Sequence, residues 1–391
     1  MKEVYLDNNA TTKVDEAVFA EMQPYFCNLY GNPSSMHFFG GQVQKNVDEG
    51  RSRVAALLGA LPEEIIFTAC GTESNNTAIR SALEVFPEKR HIITTRVEHP
   101  AVLTMCRNLG KRGYRVTELN VDSEGRLDLE ELKRAIDEDT VIVSVMHANN
   151  ETGVIFPVEE IGVIVKEKGA LFHTDAVQAV GKVPLDMASS TVDMLSLSGH
   201  KLHAPKGIGG LYLRKGVPFR PFMVGGHQER NRRAGTENTA SIIALGKACE
   251  MAGQFIEDEN TRIRGMRDRL EKEVLAQIPN ARINGGKAER LPNTLSFAFE
   301  YVEGEAILLL LSELGICASS GSACTSGSLE PSHVLRAMGV PFTCAHGSIR
   351  FSLSRFTNDE EIDLVIRELP GIIRRLREMS PFGREFLSAQ K

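Results

Sequence analysis

Leu195-Ser196-Leu197-Ser198-Gly199-His200-Lys201 is the end of a short apolar run that stops on glycine, histidine and lysine. A strand accounts for the run, and the polar residues then stand just past its carboxyl end. The segment that follows, Pro205-Lys206-Gly207-Ile208-Gly209-Gly210, lets backbone approach closely. The same reading extends to EEIIFT, HIITT, YRVTELN, TVIVSVMH, ALFHTD, DMLSLS and GIGGLYL, all short apolar runs bounded by polar turns. Helical stretches alternate with them, as with Val43, Val47, Val54 and Leu58 near helical spacing. This alternation predicts an α/β fold with a mostly parallel sheet covered on both faces. Active residues in such folds belong at the carboxyl ends of strands.

The chain has 391 residues, enough for two domains with a large core. Its character changes near residue 255, where EDENTRIRGMRDRLEKEVLAQI is a long, charged helical pattern suited to a connector. After it LPNTLSFAF and GSIRFSLS read as strands, while EGEAILLLLSELG and NDEEIDLVIRELPGIIRRLREM read as helices. The expected division is a large domain over 15–255, and a smaller α+β domain made of 1–14 with 256–391. Composition is that of an ordinary globular protein, 42% hydrophobic and 25% charged. A formal net charge of −6 argues against a nucleic-acid-binding surface. No apolar stretch approaches the roughly 20 residues that a membrane span needs, and no apolar leader opens MKEVYLDNNATTKVDEAV. Seven cysteines without CxxC spacing fit a reducing compartment with free thiols, so the expected address is the cytoplasm.

Several polar motifs follow the strands. Lys201, flanked by small and polar groups, suits a Schiff base with a carbonyl cofactor such as pyridoxal phosphate; alone it would be read as a solvated lysine. Asp175, ending Phe172-His173-Thr174-Asp175, can pair with a protonated pyridine nitrogen or cap a helix, and Gln178 can reach a ring substituent. Gly71-Thr72-Glu73-Ser74 opens a helical run, and its exposed N–H groups suit a phosphate as well as ordinary capping. His99 offers an imidazole for stacking and proton transfer. Asn150 reads either as part of a turn or as a contact to cofactor or substrate. Arg350, on the polar face of a strand by alternation, can clamp a carboxylate with two hydrogen bonds or form a surface ion pair. Cys324 stands amid small residues, Ala318-Ser319-Ser320-Gly321-Ser322-Ala323-Cys324-Thr325-Ser326-Gly327-Ser328, which cannot pack a core and read as a mobile loop at about 318–330 carrying a thiol.

In this order the motifs resemble the NifS/IscS-type cysteine desulfurases, class V pyridoxal-phosphate enzymes of fold type I, the aspartate-aminotransferase-like fold. The resemblance runs from Tyr5-Leu6-Asp7-Asn8-Asn9-Ala10-Thr11-Thr12 through Arg233-Ala234-Gly235-Thr236 to Ser354-Arg355-Phe356, and looks closest to the nitrogen-fixation branch. It implies that Lys201 attaches the cofactor and then moves protons, that Asp175 and Gln178 contact the ring, and that His99 stacks on it. It implies that Gly71, Thr72, Ser198, Gly199 and His200 surround the phosphate, with Thr236 reaching in from the second subunit of a homodimer. Asn150 and Arg350 would bind L-cysteine on its carboxylate side. Cys324 would take the sulfur as a persulfide for an iron–sulfur scaffold protein, and would act as a shared cluster ligand with it. The segment offers Cys324 no adjacent basic side chain, so activation must come from the pocket or the substrate. Two other readings stay open at this level. One is a different class V enzyme, a selenocysteine lyase or aminotransferase; the other is a non-catalytic persulfide carrier or cluster-binding partner.

Overall fold

The computed structural model describes residues 3–320 and 331–381. Its strands are β1 (Val4–Tyr5), β2 (Ile65–Thr68), β3 (His91–Thr95), β4 (Arg115–Leu119), β5 (Thr140–Ser144) and β6 (Leu171–Asp175). They continue with β7 (Met194–Ser198), β8 (Gly209–Leu213), β9 (Ala281–Ile283), β10 (Thr294–Phe299), β11 (Ile316–Cys317) and β12 (Ser348–Ser352). Seven of them form one sheet in the order β2-β8-β7-β6-β5-β3-β4. All pairings from β7 to β4 are parallel, while β8 runs antiparallel to both β2 and β7.

Except at the edge strand β4, both faces of this sheet are buried, and alternate side chains divide between two cores. Ile65, Phe67, Ile93, Val143, Leu195, Leu197 and Tyr212 point into one cluster with the helices Phe38–Leu58 and Thr239–Asp258. Ile66, Ile92, Ile142, Met194, Leu211 and Leu213 point into the other, with the helices Gly71–Val85 and Pro100–Gly110. Apolar side chains on both faces are why these strands read as apolar runs in the sequence.

A third core gathers Leu295, Phe297, Phe299, Ile349 and Phe351 of an antiparallel sheet ordered β12-β10-β9. The helices Arg264–Gln277 and Asp359–Met379 cover it, and Val4 and Leu6 from the start of the chain complete it. A capping box opens the second helix, where Asn358 and Glu361 each accept the other's backbone N–H. Its Ile362, Val365, Leu369, Ile372 and Ile373 then recur at three- and four-residue steps, facing the core. The charged connector is helical, with a π turn at Glu259–Ile263 between Thr239–Asp258 and Arg264–Gln277. Val334, Leu335 and Met338 depart from their sequence neighbours and pack in the first core, against the large sheet.

A buried ion pair fixes the loop that carries Thr236. Arg51 donates from both terminal nitrogens to Glu229 at 2.6 and 2.7 Å, and Glu229 also accepts from the Phe67 backbone at 3.0 Å. Arg51→Ala strands the Glu229 carboxylate in the interior, and is expected to cost about 3–5 kcal/mol of stability. Urea unfolding of the variant checks this. A midpoint unchanged from wild type would show that the pair contributes nothing.

Candidate active site

Five strands of the large sheet deliver their carboxyl ends to one cavity of about 240 Å³. Cys70, Gly71 and Thr72 follow β2, His99 follows β3, and Met146, Ala148 and Asn150 follow β5. Asp175, Val177 and Gln178 come from β6, and Ser198, His200 and Lys201 from β7. Asn9, Ala10 and Arg350 close the cavity from the side of the third core.

The Asp175 carboxylate is oriented by two donors. Asn75 Nδ2 donates to one oxygen at 2.6 Å and the Val177 backbone N–H to the other at 3.0 Å. His99 caps the helix Pro100–Gly110, its Nδ1 accepting the Ala101 N–H at 3.1 Å. That bond places the imidazole proton on Nε2 in the neutral ring. Burial pulls its pKa below the ordinary histidine range; Asp175 opposes the shift, and Lys201 and His333 reinforce it. His200, bonded through Nδ1 to Thr11 Oγ1 at 3.1 Å, is pulled to about 4 by burial and by Lys201. The Lys201 ammonium donates to the carbonyls of Asn9 and Ala10, the latter at 2.7 Å. Arg350 is buried, with Nη1 on the Asn150 carbonyl at 2.8 Å and Nη2 on Asp7 at 2.7 Å.

Of the residues singled out from sequence, Gly71, Thr72, His99, Asn150, Asp175, Gln178, Ser198, His200, Lys201 and Arg350 all line this cavity. Gly199 is buried beside it, where an added Cβ would lie 2.7 Å from Ile208. Thr236 lies elsewhere, in a separate hollow with Ile208, Glu229, Arg233 and Gly235. Cys324 and the segment 321–330 lie outside the described residues. Among the described residues no His/Cys/Asp/Glu cluster could hold a metal, and no helix is long and apolar enough to cross a membrane.

Two residues of the site escaped the sequence reading. Asn75 carries no local signal beyond its place in the helix Gly71–Val85, yet it bonds Asp175. Asn9 ties the halves of the molecule together: its carbonyl accepts from Gln178 at 3.0 Å and its amide donates to Thr294 Oγ1 at 2.9 Å. The adjacent polar run Asn8-Asn9-Ala10-Thr11-Thr12 was the one signal that could have marked it.

The donor set fits pyridoxal phosphate. Gln178 Oε1 and Asn75 Oδ1 are buried with no hydrogen-bond partner among the described residues. The first turn of the 15-residue helix Gly71–Val85 faces Ser198, and a Cβ at Gly71 would come within 2.8 Å of Val177 and 3.4 Å of the Ser198 Cβ. Glycine at 71 therefore lets the helix start lie against Val177 and Ser198, where its first N–H groups suit an anion. The carboxylate of Asp175, the neutral imidazole of His99 and the amine of Lys201 supply the remaining contacts that a cationic, carbonyl-bearing aromatic ring requires.

The model of the aminotransferase class-V family matches residues 4–365. A cysteine desulfurase 2 from Trichormus variabilis is 62% identical over 385 residues, covering 98% of this chain and 96% of its own. The cysteine desulfurase NifS of Azotobacter vinelandii is 60% identical over 383 residues, covering 98% of this chain and 95% of its own. Among solved structures, a NifS-like protein superposes with a TM-score of 0.90 at 41% identity, covering 96% of this chain and 100% of that one. SspA in complex with cysteine superposes with a TM-score of 0.80 at 34% identity, covering 91% of this chain and 100% of that one.

Proposed function

The chain belongs to the aminotransferase class-V family and is a pyridoxal-phosphate-dependent cysteine desulfurase, and from that premise we infer that the cavity residues share out the removal of sulfur from L-cysteine. The observation that carries this reading is the convergence of Lys201, Asp175, His99, Gly71, Thr72 and Arg350 on one cavity. When bound, the cofactor supplies an electron sink that labilises bonds at the carbons of the amino acid.

Lys201 would hold the cofactor covalently and would move the proton at the substrate carbon. Asp175, steered by Asn75 and Val177, would pair with the ring nitrogen, and Gln178 would contact a ring oxygen. Neutral His99 would pack against the ring and offer its Nε2 proton. Gly71, Thr72, Ser198, Gly199 and His200 would hold the phosphate. Arg350 and Asn150 hold the substrate carboxylate, with Arg350 keeping its bond to the Asn150 carbonyl and giving up Asp7 to do so. The carbon–sulfur bond breaks, the carbon gains a proton to give L-alanine, and the sulfur ends on Cys324 as a persulfide.

The same reading makes the protein a cytoplasmic homodimer. Phe19, Phe26, Tyr30, Met36, Phe38 and Val224 are large apolar side chains left exposed, as a chain with a second copy to cover them would leave them. Thr236, away from the cavity of its own chain, then acts on the phosphate of the other copy. An iron–sulfur scaffold protein accepts the persulfide sulfur, in cluster assembly that includes nitrogenase maturation, and Cys324 is a transient cluster ligand in that transfer. Residues 15–255 serve as the cofactor-binding domain, and 1–14 with 256–391 as the smaller one.

Incubating the holoenzyme with L-cysteine and a reducing thiol is expected to give L-alanine and sulfide in equal amounts. Without the thiol, mass spectrometry should find one added sulfur on the peptide containing Cys324. Transamination of a keto acid in place of alanine formation would overturn the reading.

A further inference from the structure

The peptide linking Asn150 to Glu151 is gripped at both ends. A trans peptide places its carbonyl and N–H in one plane, pointing opposite ways. The Asn150 carbonyl accepts from Arg350 Nη1 at 2.8 Å and from Asn9 Nδ2 at 3.2 Å. On the other side the Glu151 N–H donates to Asn149 Oδ1 at 2.9 Å, and Asn149 Nδ2 in turn donates to the Val97 carbonyl at 3.0 Å. The orientation of this plane therefore fixes one end of the Arg350 guanidinium, while Asp7 holds the other nitrogen.

The Glu151 side chain adds a grip from a distant part of the chain. It is buried, and it accepts a hydrogen bond from the Ser332 hydroxyl. Ser332 Oγ already accepts the N–H groups of Val334 at 3.0 Å and Leu335 at 3.4 Å, so its own proton is left for Glu151. The next residue, His333, donates from Nε2 to the Glu98 carbonyl at 2.9 Å, on the loop that carries His99. Val334, Leu335 and Met338 anchor this segment in the large core. None of Asn149, Glu151, Ser332 and His333 lines the cavity.

We propose that Glu151 and Ser332 are positioning residues for substrate carboxylate binding: their bond fixes the Asn150–Glu151 peptide, which in turn aims Arg350. The inference rests on Arg350 being the carboxylate clamp. Losing a buried hydrogen bond to a carboxylate that acts only through this peptide is expected to raise the KM for L-cysteine about tenfold. The chemical step does not use the bond, so kcat should stay within about twofold of wild type.

Ser332→Asp separates bracing from helix capping. Aspartate keeps a cap acceptor for Val334 and Leu335 but sets a second carboxylate against Glu151. Ser332→Asp, Ser332→Ala and Glu151→Ala are each expected to raise KM and to weaken binding of L-alanine by calorimetry to a similar degree. The double variant Glu151→Ala/Ser332→Ala should be no worse than either single one, because both remove the same bond. Cofactor affinity, titrated by absorbance, should be unchanged throughout, and Glu151→Gln, which keeps an acceptor, should restore KM. Arg350→Lys is the control for the premise. If it raises KM while the Ser332 variants leave KM and L-alanine binding unchanged, or if the two alanine effects simply add, the positioning role is overturned. If Arg350→Lys changes neither quantity, the clamp itself fails and the inference fails with it.

Discussion

Lys201→Ala is expected to lower desulfurase turnover by about 10³-fold or more, because in the proposed roles one substitution removes both the covalent attachment and the proton carrier at the substrate carbon. The fold should survive, since the side chain bonds the Asn9 and Ala10 carbonyls at the cavity wall. The decisive measurement does not depend on activity. Borohydride treatment of the wild-type holoenzyme should leave the mass of the cofactor on the peptide containing Lys201, and the variant should carry none. Lys182 is the competitor to exclude. It shares a small neighbouring cavity with Lys201, and burial pulls its amine below the ordinary lysine range, as a nucleophilic lysine requires. Yet Lys182 does not reach the cavity that holds Asp175 and His99, and Lys201 does. Cofactor fixed on Lys182 in the wild-type enzyme would remove Lys201 from its role.

Six strands of the large sheet were legible because they are buried along nearly all their length, which writes them as short runs rich in apolar residues. The edge strand β4 is half exposed and reads as a strand mainly from its place between helices. The reversal of β8 was not legible, since apolarity carries no direction. Polar residues past the strand ends were legible for the same topological reason, and ten of those named from sequence meet in one cavity. What local pattern could not supply were contacts between distant residues. Asn75 looks like an ordinary helix-start residue until the fold brings Asp175, one hundred positions away, to 2.6 Å from its amide. Asn9 joins Gln178 to Thr294 across both halves of the chain. Arg350 was placed on a polar strand face by alternation, whereas β12 is buried along its whole length. The reason is the N-terminal segment, which lays Asp7 over the guanidinium and Leu6 into the third core.

Cys324→Ala is expected to abolish alanine and sulfide formation while leaving cofactor binding and L-cysteine binding intact. Sulfur leaving the substrate carbon needs a nucleophile, and the other thiols can be weighed against Cys324. Cys106 and Cys249 are buried, and burial pushes both thiols up to about 12, which leaves essentially no thiolate at neutral pH. Cys317 and Cys344 are pushed upward by burial and by the nearby carboxylates of Glu3 and Glu300. Cys27 is exposed and does not line the cavity. Cys70 is the serious rival, because it lines the cavity directly before Gly71. It is also the N-cap of the helix Gly71–Val85, so its backbone is fixed where the phosphate would sit. A thiol held there has no way to carry sulfur out to a protein acceptor. Cys70→Ala should therefore still form a persulfide on Cys324 when the holoenzyme meets L-cysteine, and Cys324→Ala should form none on any peptide. A persulfide found on Cys70 in the Cys324→Ala enzyme, with turnover preserved, would move the sulfur-collecting role to the fixed thiol.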